Sequence, residues 1–345
     1  MVLNHDFDHG TLDDHVMRLI EMRGGSPNSD LLKEMILTVL KFAGDQADRG
    51  DLKILNSALK ELRYAFKVFR PFRKIRKVSV FGSARVGAND KVFHQARLFS
   101  EKITELGFMV ITGAGEGIMK AAQGGAGREK SFGVNIRLPF EQYANEYIEN
   151  DPKLVTFKYF FTRKLIFIKE TDGVVLFPGG FGTHDEAFEA LTLIQTGKSN
   201  LLPVVFLDEP GGIFWKEGGE YIREHLLNRG LISEEDMALF KVTDSVDEAV
   251  DEVVHFYRNY HSSRFVQSQL VLRLHYPVND ELLERLNIEF KDILNEGKIS
   301  RSSPFPEEIN EENLSKLNRL AFTFNRKDFG RLRQMIDLLN QSIPE

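Results

Sequence analysis

At 345 residues the chain has room for two or three domains, and a hydrophobic fraction of 42% beside 28% charged residues is that of a soluble globular protein. A formal net charge of −6 argues against general nucleic-acid binding, and the absence of cysteine excludes disulfides, thiolate catalysis and cysteine-ligated metal. The opening residues MVLNHDFDHG show neither the basic flank nor the apolar core of a secretory signal, and no apolar run approaches the ~20 residues of a membrane span, so the expectation is a cytoplasmic protein with no membrane partner.

Residues 1–70 read as helical. Leu12, Val16 and Ile20 fall at helical spacing before Gly24-Gly25-Ser26-Pro27 breaks the pattern, and Leu31 to Gly44 and Leu52 to Phe69 are two further amphipathic segments. None of them resembles a catalytic motif. They read as a helical appendage that packs on the core or on a partner subunit. The run KVFRPFRKIRK contains Lys67, Arg70, Arg73, Lys74, Arg76 and Lys77. It fits two readings, a solvated linker ahead of a strand and a site for an anionic effector such as a regulatory nucleotide.

Val78 to Phe81 reads as a buried strand ending in Gly82-Ser83-Ala84-Arg85. Helix Asp90 to Leu106 follows, then strand Phe108 to Thr112. Gly113-Ala114-Gly115-Glu116-Gly117 leads into helix Ile118 to Gly127, and Phe132 to Leu138 is a third strand. This β-α-β-α-β order with short connections predicts an α/β fold, a Rossmann-like doubly wound parallel sheet. The segment GAGEGIM is a poor dinucleotide fingerprint: its third glycine comes one position early for G-x-G-x-x-G, and no clear ribose-binding acid follows. A plain tight turn and a mononucleotide site both remain open for it. Phe140 to Asp151 is a polar, acidic stretch with Tyr143 and Tyr147, a lid or a simple connection. Leu154 to Tyr159 looks like another strand, and Phe160 to Thr171 is a helix carrying Arg163 and Lys164.

The stretch from Arg163 to Gly197 reads as helix, strand, glycine turn, helix. Val174 to Phe177 is the strand, Pro178-Gly179-Gly180-Phe181-Gly182-Thr183 the turn, and a helix is expected from His184 to about Thr196, with Gly197 as its stop. Three glycines in four positions let a ligand approach the backbone, and the helix start behind them offers unpaired N–H groups and the positive end of its dipole. That is an anion site, most often for phosphate. Gly82-Ser83, Gly113 to Gly117 and Pro178 to Thr183 all follow strands, so they should converge on the carboxyl edge of the sheet.

Leu202 to Leu207 is a further strand, Gly211 to Gly230 reads as helix, Phe240 to Val242 as a short strand and Val246 to Tyr260 as helix. After Ser262-Ser263 the pattern changes. Gln269 to Tyr276 alternates like a strand, with Leu270, Leu272 and Leu274 on one side and Val271, Arg273 and His275 on the other. A helix over Asn279 to Asn295, strand or loop over Lys298 to Pro306, a strand over Leu317 to Asn325 and a helix over Lys327 to Gln341 complete the chain. The β-α-β-β-α order is like a ferredoxin-type α+β module, complete or not. Three regions are therefore expected: a helical region 1–70, a nucleotide-binding domain 71–261 and a small α+β module 262–345.

The segment PGGFGTHDE, Pro178 to Glu186, resembles the PGGxGTxxE motif of the LOG ("Lonely guy") family, nucleotide-binding proteins once labelled lysine decarboxylases. Arg163-Lys164 matches that family's Arg-Lys pair at the family's spacing. Gly113 to Met119 corresponds to its GGGxxGLM segment, with alanine and isoleucine departures. The resemblance covers roughly residues 76–258. It implies hydrolysis of the N-glycosidic bond of an AMP-like nucleoside 5′-monophosphate to free base and ribose 5-phosphate. It implies catalytic roles for Arg163 and Glu186. Substrate and phosphate binding would fall to Gly82, Ser83, Gly113, Gly115, Gly117, Met119, Lys164, Pro178, Gly179, Gly180, Gly182 and Thr183. Family members are usually homodimers with sites near the interface, so a homodimer or higher homo-oligomer is expected. The added terminal regions resemble the larger bacterial purine and pyrimidine nucleotide nucleosidases. No lysine context suggests pyridoxal phosphate, and no cofactor is expected. The nine histidines show no metal spacing, and no metal is expected.

Structural readings compete at each of these positions. Thr183-x-x-Glu186 also fits a capping box. Arg163 also fits a surface ion pair. Asp185 and Glu189 read as solvated helix residues, although Asp185 stands where the family often has another Glu, and His184 reads as an incidental first-turn residue. A binding module without turnover, either a nucleotide or alarmone sensor or a carrier of a phosphate-bearing cofactor, would use the same glycine turns. A third reading makes the core a scaffold and gives recognition to the C-terminal module.

Overall fold

The computed structural model of the chain describes residues 11–139, 143–308 and 314–343; the sequence readings at residues 1–10 and 140–142 lie outside them. The chain divides into two compact units, residues 1–60 and 61–345. In the first, α1 (Leu12–Met22) starts at a capping box in which Thr11 and Asp14 bond each other's backbone N–H groups. Its stripe of Val16 and Ile20 is buried, as their spacing predicted, and Lys33 of α2 (Ser29–Lys41) pairs with Asp13 at 2.8 Å. The helix α3 (Arg49–Phe69) begins in this unit and ends in the next.

The second unit is built on a seven-stranded parallel sheet of order β4-β3-β2-β1-β5-β6-β7. The strands are β1 (Lys77–Phe81), β2 (Met109–Thr112), β3 (Ser131–Ile136), β4 (Leu154–Phe157), β5 (Gly173–Leu176), β6 (Val204–Leu207) and β7 (Lys241–Thr243). The apolar runs KVSVF, MVIT, GVVL and VVFL are buried along their whole length, as strands covered on both faces must be. Alternation splits them between two cores. Val78, Val80, Val110, Val175 and Val205 pack with α4 (Lys91–Glu105), α5 (Ile118–Ala126) and α9 (Val246–Phe256). Phe81, Ile111, Phe132, Leu176 and Phe206 pack with the end of α3, α6 (Phe160–Glu170) and α7 (Phe181–Gln195). There Phe69 stacks on Phe132 with ring centroids 4.3 Å apart. The expected Rossmann-like α/β architecture is what the chain adopts. Chain order reverses between β1 and β5, and that is where such a sheet opens a crevice at its carboxyl edge.

Residues 260–341 add a four-stranded antiparallel sheet of order β10-β11-β9-β8, with α10 (Asp280–Glu289) and α11 (Phe329–Gln341). The strands are β8 (Tyr260–Val266), β9 (Gln269–Leu274), β10 (Leu294–Arg301) and β11 (Asn318–Phe324). β9-α10-β10, with β11 inserted between the two strands, is the split βαβ unit of the ferredoxin type. Its remaining edge is filled by β8, which precedes the unit instead of following it. The sequence reading ran a helix through to Tyr260 and missed this strand. The helix α9 ends at Phe256, and the hairpin turn Gln267-Ser268 lacks the Asn-Gly or Asp-Gly signal of a two-residue turn, although Gln267 adopts φ 54°. The expected helix over 211–230 is α8 (Phe214–Tyr221) continued by a π-helical turn over Ile222–Leu227. Among the described residues no helix is long and apolar enough to cross a membrane.

Candidate active site

Three turns meet at the carboxyl edge of the sheet, as their positions after strands predicted. Ser83 N donates to Pro178 O at 3.1 Å, joining the turn after β1 to the turn after β5. Ile118 N donates to Ser83 O at 3.0 Å, joining the first of these to the start of α5. Gly117 is required at that junction. Its φ of +65° is left-handed, and a Cβ there would lie 2.2 Å from Ser83 O. Between the turns lies a cleft of about 950 Å³. Gly82, Ser83, Gly113, Met119, Arg163, Gly179, Gly180, Gly182, Thr183 and Glu186 line it. Of the residues expected at the site, Gly115, Gly117, Lys164 and Pro178 do not line this cleft. Gly117 shapes it from behind, Pro178 faces the neighbouring pocket toward Asp208, and Lys164 turns to α7, where it pairs with Asp185 (2.8 Å) and Glu189 (2.7 Å).

The helix α7 begins at Phe181, three residues before the expected start, with Gly180 as its N-cap. Thr183 N and His184 N donate to Gly180 O at 3.0 and 3.2 Å, and no side chain caps the helix. Phe181 and Gly182, as the first two residues, have no intrahelical acceptor for their N–H groups. Open space stands where Gly180 and Gly182 would carry a Cβ, so a ligand can reach this positive end directly. The capping box suggested by Thr183-x-x-Glu186 does not form, because Thr183 already lies inside the helix and Glu186 lies beyond its first turn.

Glu186 is only 4% exposed. It belongs to the buried stripe Thr183, Glu186, Ala187, Ala190 and Ile194, where periodicity asks for an apolar residue. A carboxylate there is a local violation of the folding pattern, the kind that marks functional sites. Its Oε1 lies 3.3 Å from Arg163 Nη2. Burial pushes the Glu186 carboxyl above the usual carboxylate range, with the charges of Arg163 and Lys164 pulling against the shift. Burial likewise lowers the Arg163 guanidinium, with Glu186 opposing. At both partners the loss of water outweighs their attraction. Arg163 keeps its proton as by far the stronger base, and the carboxylate is the group whose protonation responds to pH. Arg163 Nε is buried with no hydrogen-bond partner among the described residues.

Two features that position these groups were not legible in advance. Glu61 of α3 accepts from Lys158 N (2.9 Å) and Thr162 Oγ1 (2.7 Å) at the start of α6, whose N-cap residue Tyr159 supplies no side-chain bond. It anchors the helix that carries Arg163. Asn145, 2% exposed, holds the turn after β2: its N donates to Ala114 O (2.9 Å) and its Nδ2 to Gly115 O (2.8 Å) and Gln123 Oε1 (2.7 Å). Ala114, the alanine departure from the family motif, sits in the left-handed region at φ 63°. Residues 143–151 are thus tied to the back of this turn and do not stand over the cleft as a lid. The remaining cleft residues, given no site role from sequence, are Phe81, Ala84, Arg85, Phe167, Phe181 and His184, with Phe181 almost fully exposed at the lip.

The basic run divides. Arg76 bonds Asp172 Oδ1 and His261 O, each at 3.2 Å, and lies 3.5 Å from the Tyr257 ring centroid. Lys77 is buried, its Nζ donating to Phe72 O and Ile75 O. Both are structural, while Lys67, Arg70, Arg73 and Lys74 are exposed.

No curated protein matches the chain. Among solved structures, that of TM1055 shares 22% identity over 51% of this chain and 97% of its own, with a TM-score of 0.37. The molybdenum cofactor carrier protein from Chlamydomonas reinhardtii shares 22% over 52% and 96%, with a TM-score of 0.38. DNA processing protein A from Helicobacter pylori shares 14% over 52% and 80%, with a TM-score of 0.35. The family model described as "Possible lysine decarboxylase" matches residues 116–253, which include α5, Arg163-Lys164 and the whole of PGGFGTHDE. Over residues 116–253 this chain carries the LOG-family region, whose older label is lysine decarboxylase.

Proposed function

We propose that the protein hydrolyses the N-glycosidic bond of a nucleoside 5′-monophosphate, AMP-like in class, to free base and ribose 5-phosphate. The observation that carries the reading is the buried Glu186–Arg163 pair beside an uncapped helix start whose glycines leave room for a ligand. The phosphate binds at the Gly180–Thr183 turn, which places the ribose toward Glu186. Departure of the base takes the C1′–N electron pair, the base nitrogen gains a proton from solvent, and an oxocarbenium-like ribose is left. The Glu186 carboxylate stabilises that positive charge and accepts a proton from the water that attacks C1′. A carboxylate whose affinity for protons is raised by burial is the better base for this step. The Arg163 charge opposes the effect of burial and favours the ionised form of Glu186. Binding of the remote phosphate helps to drive distortion at the ribose.

Base release should therefore require the 5′-phosphate. Chromatography of AMP and adenosine reactions tests this: adenine from AMP alone fits the proposal, and equal release from adenosine contradicts it. Binding of the monophosphate without any release would instead fit a sensor or carrier. As part of the same proposal, the protein works as a homodimer. The faces of α6 and α7 beside the cleft expose Phe161, Leu165 and Phe188, an apolar surface suited to a second copy.

A further inference from the structure

Four ionisable side chains line the cleft: Arg85, Arg163, His184 and Glu186. Arg163 and Glu186 face each other, so their charges cancel at short range. His184 Nδ1 is engaged 3.0 Å from Gly180 O. Arg85 differs from all three. It is exposed, and among the described residues its guanidinium has no hydrogen bond, ion pair or ring contact. The backbone beneath it is nevertheless fixed. Arg85 N donates to Ser83 Oγ at 3.1 Å, Ser83 is bonded to both Pro178 O and Ile118 N, and Gly117 is wedged against Ser83 and Ala84. A Cβ on Gly179 would lie 3.0 Å from Ser83 N, so this loop runs directly beside the turn that opens α7. A rigid loop thus presents an uncommitted guanidinium next to an uncapped helix start.

The charge balance gives this arrangement a purpose. A phosphate monoester carries about −1.5 to −2 at pH 7. The start of a helix offers roughly half a positive charge, and the Arg163–Glu186 pair offers none in sum. We infer that Arg85 binds the phosphate of the ligand, and that it is the cation by which the cleft selects phosphorylated over unphosphorylated nucleosides. The inference rests on the phosphate-anchored reading of the cleft, but not on turnover. A guanidinium is suited to the task because its planar fork can give two parallel N–H bonds to phosphate oxygens. The sequence signal was the Arg that follows Gly82-Ser83-Ala84, four residues past the last position of β1.

Calorimetric titration with ribose 5-phosphate tests it without any need for hydrolysis. Arg85→Ala should weaken ribose 5-phosphate by about ten- to hundredfold, the scale of a lost charge-assisted contact, and leave adenosine binding unchanged. Arg85→Lys should recover part of the loss. An exposed side chain with no partner is not needed for folding, and an unchanged thermal melt checks that. Binding of ribose 5-phosphate by Arg85→Ala within twofold of wild type would overturn the inference, even in a protein that hydrolyses AMP. Wild-type binding that is lost in Arg85→Ala, in a protein that releases no base, would leave the inference standing and remove the hydrolase reading. A wild type that does not bind ribose 5-phosphate would end both.

Discussion

The pair Arg163–Glu186 concentrates the account in two side chains, and its pH behaviour can be derived. Burial raises the Glu186 carboxyl and the Arg163 charge holds it down. The reacting form is the carboxylate, so kcat/KM should fall as pH drops through this raised value. Removing the Arg163 charge with Arg163→Met lets the carboxyl rise further, and the acidic limb should move to higher pH. An acidic limb that stays in place would show that another group controls it. A second titration concerns stability. Burial and the charges of Arg76 and Arg273, with His275 nearby, lower His261 to about 4, against 6.5 when unperturbed. The native state then resists a proton that the unfolded chain accepts. The stabilising contribution is complete above about pH 6.5 and is lost as pH falls toward 4. Melting temperatures measured between pH 7 and 4.5 should fall less steeply for His261→Asn than for wild type; parallel curves would contradict the assignment. At this scale much of the site was legible. Glycine spacing and a Thr-x-x-Glu pattern named most of the cleft wall. What the pattern did not show is that Lys164, expected among the binding residues, lies outside the cleft that Arg163 lines. The two are adjacent on α6, so they point about 100° apart: one enters the cleft and the other pairs with Asp185 and Glu189.

At the scale of elements, the site is held by contacts between segments far apart in the chain. Glu61 satisfies the start of α6 across about a hundred residues of sequence. Glu61→Ala should cost about 1–2 kcal/mol in denaturant unfolding, the scale of a lost cap and charge-assisted bonds. It should also reduce turnover, because α6 carries Arg163. Unchanged stability would mean that solvent replaces Glu61 at no loss. Such a contact has no local signature: a Glu on an amphipathic helix reads as solvated until the fold brings it to another helix. The same holds for β9. Its alternation predicted one apolar face, and Leu270, Leu272 and Leu274 do enter the core. The opposite face is covered too, since Arg273 and Arg319 are buried on Glu308. Nothing in the alternation of β9 forecasts a carboxylate 35 residues later. Removing it with Glu308→Ala should cost about 3–5 kcal/mol, because the buried guanidinium groups of Arg273 and Arg319 would lose the carboxylate that balances their charge.

On the scale of the whole molecule, the order of strands and helices was readable because parallel α/β units repeat one hydrophobic pattern with short connections. The relation of residues 262–345 to the rest was not. The small sheet shares a continuous core with the large one: Leu272, Phe322, Leu332 and Met335 belong to the same buried cluster as Ile111, Leu176 and Phe206. Asn340 Oδ1 accepts from Asn259 N and Tyr260 N, both at 2.9 Å. A chain cut at 261 should therefore fail to fold cooperatively, and a cooperative melt of that fragment would contradict this. The proposed dimer is checked by sedimentation, where Phe188→Glu should shift the wild-type mass toward the monomer.

The central claim is that Glu186 performs chemistry in a cleft that binds the phosphate separately. The most direct test is base release from a panel of nucleoside 5′-monophosphates by wild type and Glu186→Gln, with ribose 5-phosphate affinity measured on both. The account predicts release by wild type, a loss of about a hundredfold or more in the variant, and ribose 5-phosphate binding retained in both. Turnover that survives in Glu186→Gln would contradict it.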